Sequence, residues 1–448
     1  MGKPVNLFVS VGVFVLMISL ASSVKYIWAF ELPVEIPGDY EGKWYGIHCP
    51  DVPREKMKGV RGGEVFPNQT IMNSWGYKAK TIDEIKALIP EFFYEVCSHP
   101  EVWGDVRINE TAYIPEEKWG EHVRLKLKTT EKHKGAARLN EKGHLESWVA
   151  GYPFPGSEKG IEIAWNFVNS RNYGEGLISN WYQGVVDRNG HRRYASGEQC
   201  YLWWKGRLYG EHTPHYKPNP NNYEFFSSTG FYSPYDLYGM VGLTYRYDDP
   251  DKQDDMWMYI TSLRRVRRMS TSQRWDKIPG GTDLPYDALT GFQGKPTNYE
   301  WRYLGKKELL CPRQPKDSLQ EIKKKPMCAV DQLYQRVNTV VLEYKPKEHM
   351  VAPISRAVMY LDPEMYACFY VEFFDKKGRP YLFMLTPWVI FGPGYQAPIG
   401  FVMLDLQRVH GTTHCTYDEW VDEDATEIGG NCPSYFEMTS LRRRYSGR

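Results

Sequence analysis

Short stretches of alternating apolar and polar residues follow one another along the second half of the chain. The first pair, 179–186 and 191–204, is separated by Asp187-Arg188-Asn189-Gly190, and Asn-Gly is a strong signal for a tight hairpin turn. Period-two alternation is typical of strands that bury one face. The same pattern predicts further strands at 241–247, 256–266, 299–310, 337–344, 357–361, 367–374, 381–385 and 401–410.

Helical periodicity is confined mainly to the part before these strands. Thr81 can cap a helix whose apolar residues share one face until Pro90, and a second short helix holds Phe92, Phe93 and Val96. Another amphipathic helix is predicted between residues 160 and 171, whereas alternation predicts a strand at 122–129. Helices that precede a run of neighbouring strands favour an α+β protein with a large antiparallel sheet.

Two long stretches between predicted strands, 211–236 and 270–298, carry no clear periodicity. Loops of this length are usually functional or act as lids. We therefore expect them to lie over the sheet or close to a binding site.

The charge balance excludes one class of function. The 448 residues include 56 basic and 55 acidic side chains, which gives a net charge of +1 and no field that would draw the protein to nucleic acid. Aromatic residues make up 15% of the chain. This suits cross-strand packing and equally suits the walls of an apolar cavity.

The N-terminus has the pattern of an export signal. Lys3 precedes an apolar run at 5–20 and the small residues Ala21-Ser22-Ser23, so we predict a signal peptide at 1–23 and a periplasmic protein. The alternative is an uncleaved membrane anchor, since the apolar run can be extended to Val24. Residues 24–80 are rich in Gly and Pro and are predicted to form an extended lead-in.

Eight cysteines in an exported chain favour disulfide bonds. Cys311 with Cys328 and Cys415 with Cys432 each enclose 16 residues, and closing such a loop stabilises by about 3 kcal/mol on the chain-entropy model. A third predicted pair is Cys49 with Cys97. No spacing typical of a zinc ribbon or a haem attachment occurs, and we predict no metal site.

The arginine cluster Arg264, Arg265, Arg267 and Arg268 is the most unusual charge feature. The nearby acidic residues are badly placed as partners, since Asp254 would lie about 35 Å from Arg265 along an extended strand. The arginines therefore either pair with carboxylates of other strands, such as Glu343 or Glu372, or face solvent, an anionic ligand or a membrane. Alternation along a continuous strand places Arg265 and Arg267 on the face of Trp257 and Tyr259, unless a bulge at Thr261-Ser262 resets the register.

Four aromatic residues nearby form a second candidate site. Tyr245, Tyr247, Trp257 and Tyr259 alternate on two predicted strands and would line a cavity for an acyl chain or another apolar ligand. Ordinary cross-strand packing is the alternative.

Several motifs together resemble a known bacterial envelope family, the domain of unknown function 1329. They are Gly151-Tyr152-Pro153-Phe154-Pro155 with Ala164-Trp165-Asn166, Arg264-Arg265-Val266-Arg267-Arg268, Gly291-Phe292-Gln293-Gly294, the segment from Tyr299 to Glu308, the segment from Arg356 to Glu364, and Ser440-Leu441-Arg442-Arg443-Arg444. The resemblance implies a periplasmic protein similar in fold to the Lol lipoprotein carriers, which is an open half-barrel of antiparallel strands with covering helices. It would form a single domain over 81–448.

No motif of a nucleophile elbow, a Walker loop or a zincin occurs in the sequence. We therefore predict a non-enzymatic periplasmic carrier without a cofactor, which binds a lipid or lipid-like molecule. Its candidate partner is an envelope transporter or an outer-membrane protein, and transient membrane contact is expected. Two alternatives remain open: an interaction subunit of an envelope assembly, and an envelope hydrolase.

Overall fold

A computed structural model describes residues 70–73, 80–104, 106, 108–111, 121–170, 176–208, 212–313, 325–327, 332–391, 395–398, 400–421 and 433–446. The predicted signal peptide and most of the predicted lead-in lie outside these ranges.

Strands dominate this part of the chain. They are β1 Thr70–Asn73, β2 Lys80–Thr81, β3 Ile108–Thr111, β4 Arg138–Leu139, β5 Leu145–Glu146, β6 Gly176–Val186, β7 Arg192–Trp203, β8 Tyr223–Ser233, β9 Val241–Tyr247, β10 Asp255–Ile260, β11 Arg265–Arg268, β12 Tyr299–Cys311, β13 Gln332–Pro346, β14 Ile354–Leu361, β15 Cys368–Asp375, β16 Pro380–Leu385, β17 Trp388–Phe391, β18 Tyr395–Pro398, β19 Gly400–Asp405 and β20 His410–Val421.

The described α-helices are short. They are α1 Glu91–Ser98, α2 Pro100–Trp103, α3 Glu121–His133, α4 Gly160–Ser170 and α5 Met438–Ser446. Short 3-10 helices lie at Asp83–Leu88, Thr261–Leu263, Thr271–Trp275, Tyr286–Gly291, Pro296–Asn298 and Pro433–Phe436.

Sixteen of the strands form one sheet in the order β11-β10-β9-β8-β7-β6-β20-β19-β16-β15-β14-β13-β3-β1-β2, with β12 also paired to β13. Neighbours are antiparallel except that β3 runs parallel to both β1 and β13. The two ends of this order do not pair with each other, so the sheet is open. The predicted α+β class with a large open antiparallel sheet is confirmed.

The half of the sheet around β14 is buried on both faces. Leu342 pairs with Met359 on one face, and their neighbours Val341 and Tyr360 pair on the other. The first face packs against α4 and the segment 270–298, whereas the second packs against residues 82–103 and Val123. Burial on both faces explains why these strands are apolar at nearly every position.

Residues 121–133 form a helix, so the predicted strand at 122–129 is wrong. Val123, Lys126 and Thr130 are buried, and this spacing is that of one helical face. The Lys126 ammonium donates a hydrogen bond to the Ser170 carbonyl, 2.7 Å away at the end of α4. This hydrogen bond allows the lysine to lie on the buried face of the helix. A buried lysine in the apolar stripe made the helical period look like alternation.

The predicted long loop at 211–236 contains β8, a central strand of the sheet. Its middle is Ser227-Ser228-Thr229-Gly230, and both serines are buried between β7 and β9. Small polar residues are poor strand formers by propensity. The residues nevertheless form a strand, because β8 is hydrogen-bonded to β7 on one side and to β9 on the other.

Residues 256–266 do not form one strand. The chain reverses at Thr261–Leu263 and Arg264, which has a left-handed φ of 48°, so that β10 and β11 form a hairpin. Trp257 pairs with Arg268 and Met258 pairs with Arg267. The register of one continuous strand therefore does not hold, because the reversal resets it at the position where a bulge was considered: Arg267 lies on the face of Met258, since opposed residues in an antiparallel pair share a face.

The predictions for residues 401–410 and 270–298 have different outcomes. The predicted strand 401–410 ends at Asp405, and a separate long strand, β20, joins β19 to β6. The segment 270–298 has only short 3-10 turns, as predicted, but it packs into the core through Trp275, Leu284 and Phe292.

Candidate ligand-binding cleft

One face of β6, β7 and β8 faces a cleft. Tyr201 pairs with Leu177 across β6 and β7, and Trp203 pairs with Phe225 across β7 and β8, so these side chains project from the same face. The Tyr201 and Trp203 rings are stacked with centroids 5.4 Å apart, and Phe225 lies 6.0 Å from Tyr201. Together they form an aromatic floor.

The opposite wall comes from other parts of the chain. Trp148, the end of α4 at Val168 and Asn169, and the segment from Leu289 to Gln293 face the floor. Pro398, Gly400 and Phe401 close one side. The cavity between these walls has a volume of about 90 Å³ and opens to solvent. This is smaller than the roughly 300 to 1,000 Å³ of pockets that enclose a whole small ligand, so only part of a larger ligand would fit inside.

Polar groups lie among the aromatic ones. Gln199, Gln293, Lys205 and Glu224 line the same cleft. Burial raises the pKa of Glu224 to about 7, and the nearby Arg246 offsets only part of this effect. Glu224 therefore changes charge close to neutral pH.

His414 lies on the cleft side of β20 and is held neutral. Its ring stacks on Phe401 with centroids 4.9 Å apart, and burial lowers its pKa to about 3. A neutral imidazole of this kind offers a hydrogen bond without a charge.

A buried ionic network fixes the wall next to Glu224. Asp254 accepts hydrogen bonds from Arg246 at 3.0 Å and Arg274 at 2.7 Å, and Arg274 also donates to Asp287 at 2.6 Å. Both guanidiniums donate to the Gln293 carbonyl, at 2.7 and 2.8 Å. Each charge is compensated, which is the condition for burying ions without a large penalty. The network holds Gln293 at the cleft.

The aromatic residues predicted as ligand-binding lie on the other face of the sheet. Tyr245 pairs with Phe226 and Trp257 with Leu243, and these residues pack with Phe436 and Leu441 of the C-terminal segment. The Tyr245 hydroxyl donates to the Phe436 carbonyl at 3.0 Å. Tyr247 and Tyr259 share this face, where Tyr247 donates to Asp255 at 2.7 Å and the Arg442 guanidinium covers Tyr259.

The predicted arginine site also lies away from the cleft. Arg264, Arg265, Arg267 and Arg268 are all exposed on the β10–β11 hairpin, and Arg268 is ion-paired with Asp255. The carboxylates considered as their partners bind elsewhere. Glu343 pairs with Arg302 at 3.1 Å, and Glu372 accepts hydrogen bonds from Phe92 N–H and Tyr360.

The cleft residues were partly visible in the sequence. Gln199, Tyr201 and Trp203 alternate within the predicted strand 191–204, which indicates one common face. Nothing in that pattern says which face remains uncovered. Phe225 and Glu224 were missed because β8 was not predicted.

The described residues contain no cluster of three or more His, Cys, Asp or Glu side chains that could hold a metal ion. His410, at the start of β20, pairs with Asp283.

No disulfide joins two of the five described cysteines, Cys97, Cys200, Cys311, Cys368 and Cys415. The cysteines predicted to pair with Cys97, Cys311 and Cys415 are Cys49, Cys328 and Cys432, and these three lie outside the described residues. The three pairings therefore stay predictions.

The described part of the chain is thus an open antiparallel sheet with helices on both faces and an aromatic cleft. Residues 124–442 match the model of the family described as "Protein of unknown function (DUF1329)". The chain belongs to this family, which confirms the family that its motifs resemble.

Among curated proteins, the chain is 26% identical over 255 residues to "Uncharacterized protein PA3922" of Pseudomonas aeruginosa. The match covers 54% of each chain, so this chain spans about half the length of that relative.

Several solved structures are similar to this chain. A DUF1329 family protein from Desulfovibrio piger is 16% identical, with 62% of this chain and 96% of that chain covered and a TM-score of 0.45. The LolA superfamily protein NE2245 from Nitrosomonas europaea is 12% identical, with 57% and 89% covered and a TM-score of 0.35.

Within the described ranges, no helix combines the length and apolarity that crossing a membrane requires.

Proposed function

We propose that this protein is a non-catalytic periplasmic carrier that binds a lipid or lipid-like hydrophobic molecule in the cleft. The observation that carries the proposal is the aromatic floor of Tyr201, Trp203 and Phe225, which lines the cleft on one face of β6, β7 and β8. Tyr201 and Trp203 are half-buried. Covering them with an apolar ligand would contribute roughly 25 cal/mol for each Å² of apolar surface removed from water.

The polar groups support binding of an amphipathic molecule. Gln199, Gln293, Lys205 and Glu224 lie beside the aromatic floor, and a few convergent polar groups in an apolar pocket usually fix the orientation of a ligand. An acyl chain would pack on the rings while a head group hydrogen-bonds to this set.

A protein that carries a lipid between membranes must itself be exported and must contact a partner protein in the envelope. The N-terminal pattern of Lys3, the apolar run 5–20 and Ala21 supports a cleaved signal and a periplasmic location. An envelope transporter or an outer-membrane protein is the partner we propose. N-terminal sequencing of protein from the periplasmic fraction is expected to begin near Val24.

The test uses native mass spectrometry and a fluorescent fatty acid. Protein purified from the cell envelope should retain a stoichiometric lipid, and the delipidated protein should bind the probe. Trp203→Ala removes part of the aromatic floor and should weaken binding by roughly 10- to 100-fold, the equivalent of burying one large apolar side chain.

Tyr259→Ala is the matched control, because Tyr259 is also a half-buried sheet aromatic but lies on the opposite face. Equal weakening by both variants, or no bound lipid and no probe binding, would contradict the proposal. Turnover of an envelope extract would favour the hydrolase alternative instead.

A further inference from the structure

Two turns of the sheet lie at the same end. Val241 at the start of β9 pairs with Gly230 near the end of β8 and with Tyr259 near the end of β10. The β8–β9 turn at 234–240 and the β10–β11 turn at 261–264 therefore emerge side by side. We call this region the hairpin end.

Exposed apolar side chains are concentrated at the hairpin end. Tyr235 is 96% exposed in the β8–β9 turn, Leu263 is 49% exposed in the β10–β11 turn, and Val266 of β11 is 41% exposed. Among the described residues only two other large hydrophobic side chains, Leu304 and Val351, are exposed. Scattered exposed hydrophobic residues are normal, but three at one end indicate a contact surface.

Unpaired cations surround these apolar groups. Arg264, Arg265 and Arg267 are exposed, and none of them is ion-paired within the described part of the chain. Arg268 differs because it pairs with Asp255 near the other end of the hairpin.

The tertiary structure adds cations that are far away in sequence. The Arg442 guanidinium of α5 lies over the Tyr259 ring, 4.8 Å from its centroid, and Arg443 is exposed beside it. Asp236, a carboxylate of the β8–β9 turn, is already paired with Arg193. The hairpin end is therefore positively charged although the whole chain carries a net charge of only +1.

We propose that the hairpin end docks on an anionic phospholipid surface. Leu263 and Tyr235 would enter the interfacial region, and the arginines would contact phosphate groups, for which the guanidinium has a matching geometry. A protein strand added to the β11 edge is the competing partner. Such a strand would form hydrogen bonds with the backbone of β11 but would leave Leu263 and Tyr235 at the turns without a contact. A membrane surface would contact both the arginines and these apolar side chains, so it accounts for more of the observed features.

This inference goes beyond the proposed carrier function, because it concerns a surface remote from the cleft. Vesicles of phosphatidylglycerol and phosphatidylcholine are mixed with the purified protein, and co-sedimentation is measured against salt. We expect binding to anionic vesicles that weakens as salt rises, and little binding to pure phosphatidylcholine.

The charge test compares two triple variants. Arg264→Gln/Arg265→Gln/Arg267→Gln should weaken binding roughly 100-fold, because each charge near the surface contributes about 5-fold, and should flatten the salt dependence. The control Lys306→Gln/Lys376→Gln/Lys377→Gln removes three exposed charges from β12 and the β15–β16 turn and should bind like the wild type.

The apolar test uses Leu263→Ser, which should weaken binding while leaving the salt dependence unchanged, with the exposed Val351→Ser as control. All these side chains are exposed, so unfolding midpoints should stay close to the wild-type value. The proposal is overturned if the arginine variant binds vesicles like the wild type, if both triple variants lose binding equally, or if the protein binds an acidic protein but no vesicle. None of these outcomes depends on lipid binding in the cleft.

Discussion

Arg313 and Asp362 form an ion pair with both side chains completely buried, although 49 residues separate them in the chain. Arg313 Nε donates to Asp362 Oδ2 at 2.6 Å, while Asp362 Oδ1 accepts the backbone N–H groups of Glu364 and Met365. The aspartate thus fixes the turn after β14 and binds it to the end of β12. This pair joins the Arg356–Glu364 motif of the family to Arg313.

Asp362→Asn should destabilise the protein by about 1 to 3 kcal/mol, because it keeps the backbone acceptor but removes one of the two carboxylates that pair with the buried Arg313, leaving Glu364 at 3.1 Å. Urea unfolding measures the loss. Adding Arg313→Met should recover part of it, since the double variant no longer buries a charge there. Asp375→Asn is the matched control: it also caps a turn, but its partner Arg379 is exposed, so we expect a far smaller loss.

Glu372 on β15 caps α1 from a distant strand. Pro90 precedes the helix and offers no side-chain cap, and Glu372 Oε1 accepts the Phe92 N–H at 2.8 Å. Glu372→Ala should cost about 1 to 3 kcal/mol, because it leaves a buried donor unpaired. Glu372→Gln retains an acceptor and should cost less. Equal losses in chemical denaturation would show that the helix cap is not the cause.

Glu224 should make stability depend on pH. Its pKa is raised from about 4.5 to about 7 in the folded protein, so the folded state binds the proton more tightly than the unfolded state. The stability of the wild type should therefore fall, relative to Glu224→Gln, as the pH rises from about 4.5 to about 7, by up to about 3 kcal/mol. Unfolding curves of both proteins at pH 4.5, 6 and 7.5 measure this difference. A difference that stays constant with pH would contradict the assignment.

Gly197 of β7 has no room for a side chain. An added Cβ would lie 2.5 Å from the Trp181 ring and would also meet the Gly230 carbonyl oxygen. Gly197→Ala should cost about 1 to 3 kcal/mol by overpacking. Gly242 of β9 is the control, because its added Cβ would meet only the Thr229 oxygen at 3.8 Å. Thermal unfolding should separate the two variants, and similar midpoints would exclude overpacking as the reason.

The predicted disulfides can be mapped directly. Protein recovered under oxidising conditions, digested without reduction, should give linked peptides for Cys311 with Cys328 and Cys415 with Cys432, with Cys49 and Cys97 as the third pair. Exported location and equal short loops support these pairs. Alkylation of all six residues in the unreduced, unfolded protein would rule them out.

The sequence by itself determined the class of fold and the family. Alternation and an Asn-Gly turn placed β6 and β7, and the apolar periodicity placed α1 and α4, because these elements bury one continuous apolar face. The motifs from Gly151 to Arg444 were specific enough to identify the family, which the match over residues 124–442 confirms.

Local patterns were misleading where tertiary contacts compensate unusual residues. Lys126 is buried in α3, where the Ser170 carbonyl accepts a hydrogen bond from its ammonium, and the serines of β8 are buried because strands pair on both sides. Arg264 reverses the chain in a left-handed conformation that no propensity indicates. The contacts of Lys126 and of the β8 serines join residues distant in sequence, so no short window of the sequence contains them.

Only the tertiary structure decided which sheet face stays open. Alternation placed Tyr201 and Trp203 on one face of their strand, and it placed Tyr245 and Trp257 each on one face of theirs. It could not show which segments of the chain pack on those faces. The C-terminal helix α5 covers Tyr245 and Trp257, whereas the walls around Tyr201 and Trp203 leave space. The covering segments lie far away along the chain, and which face they cover is set by the packing of the complete fold.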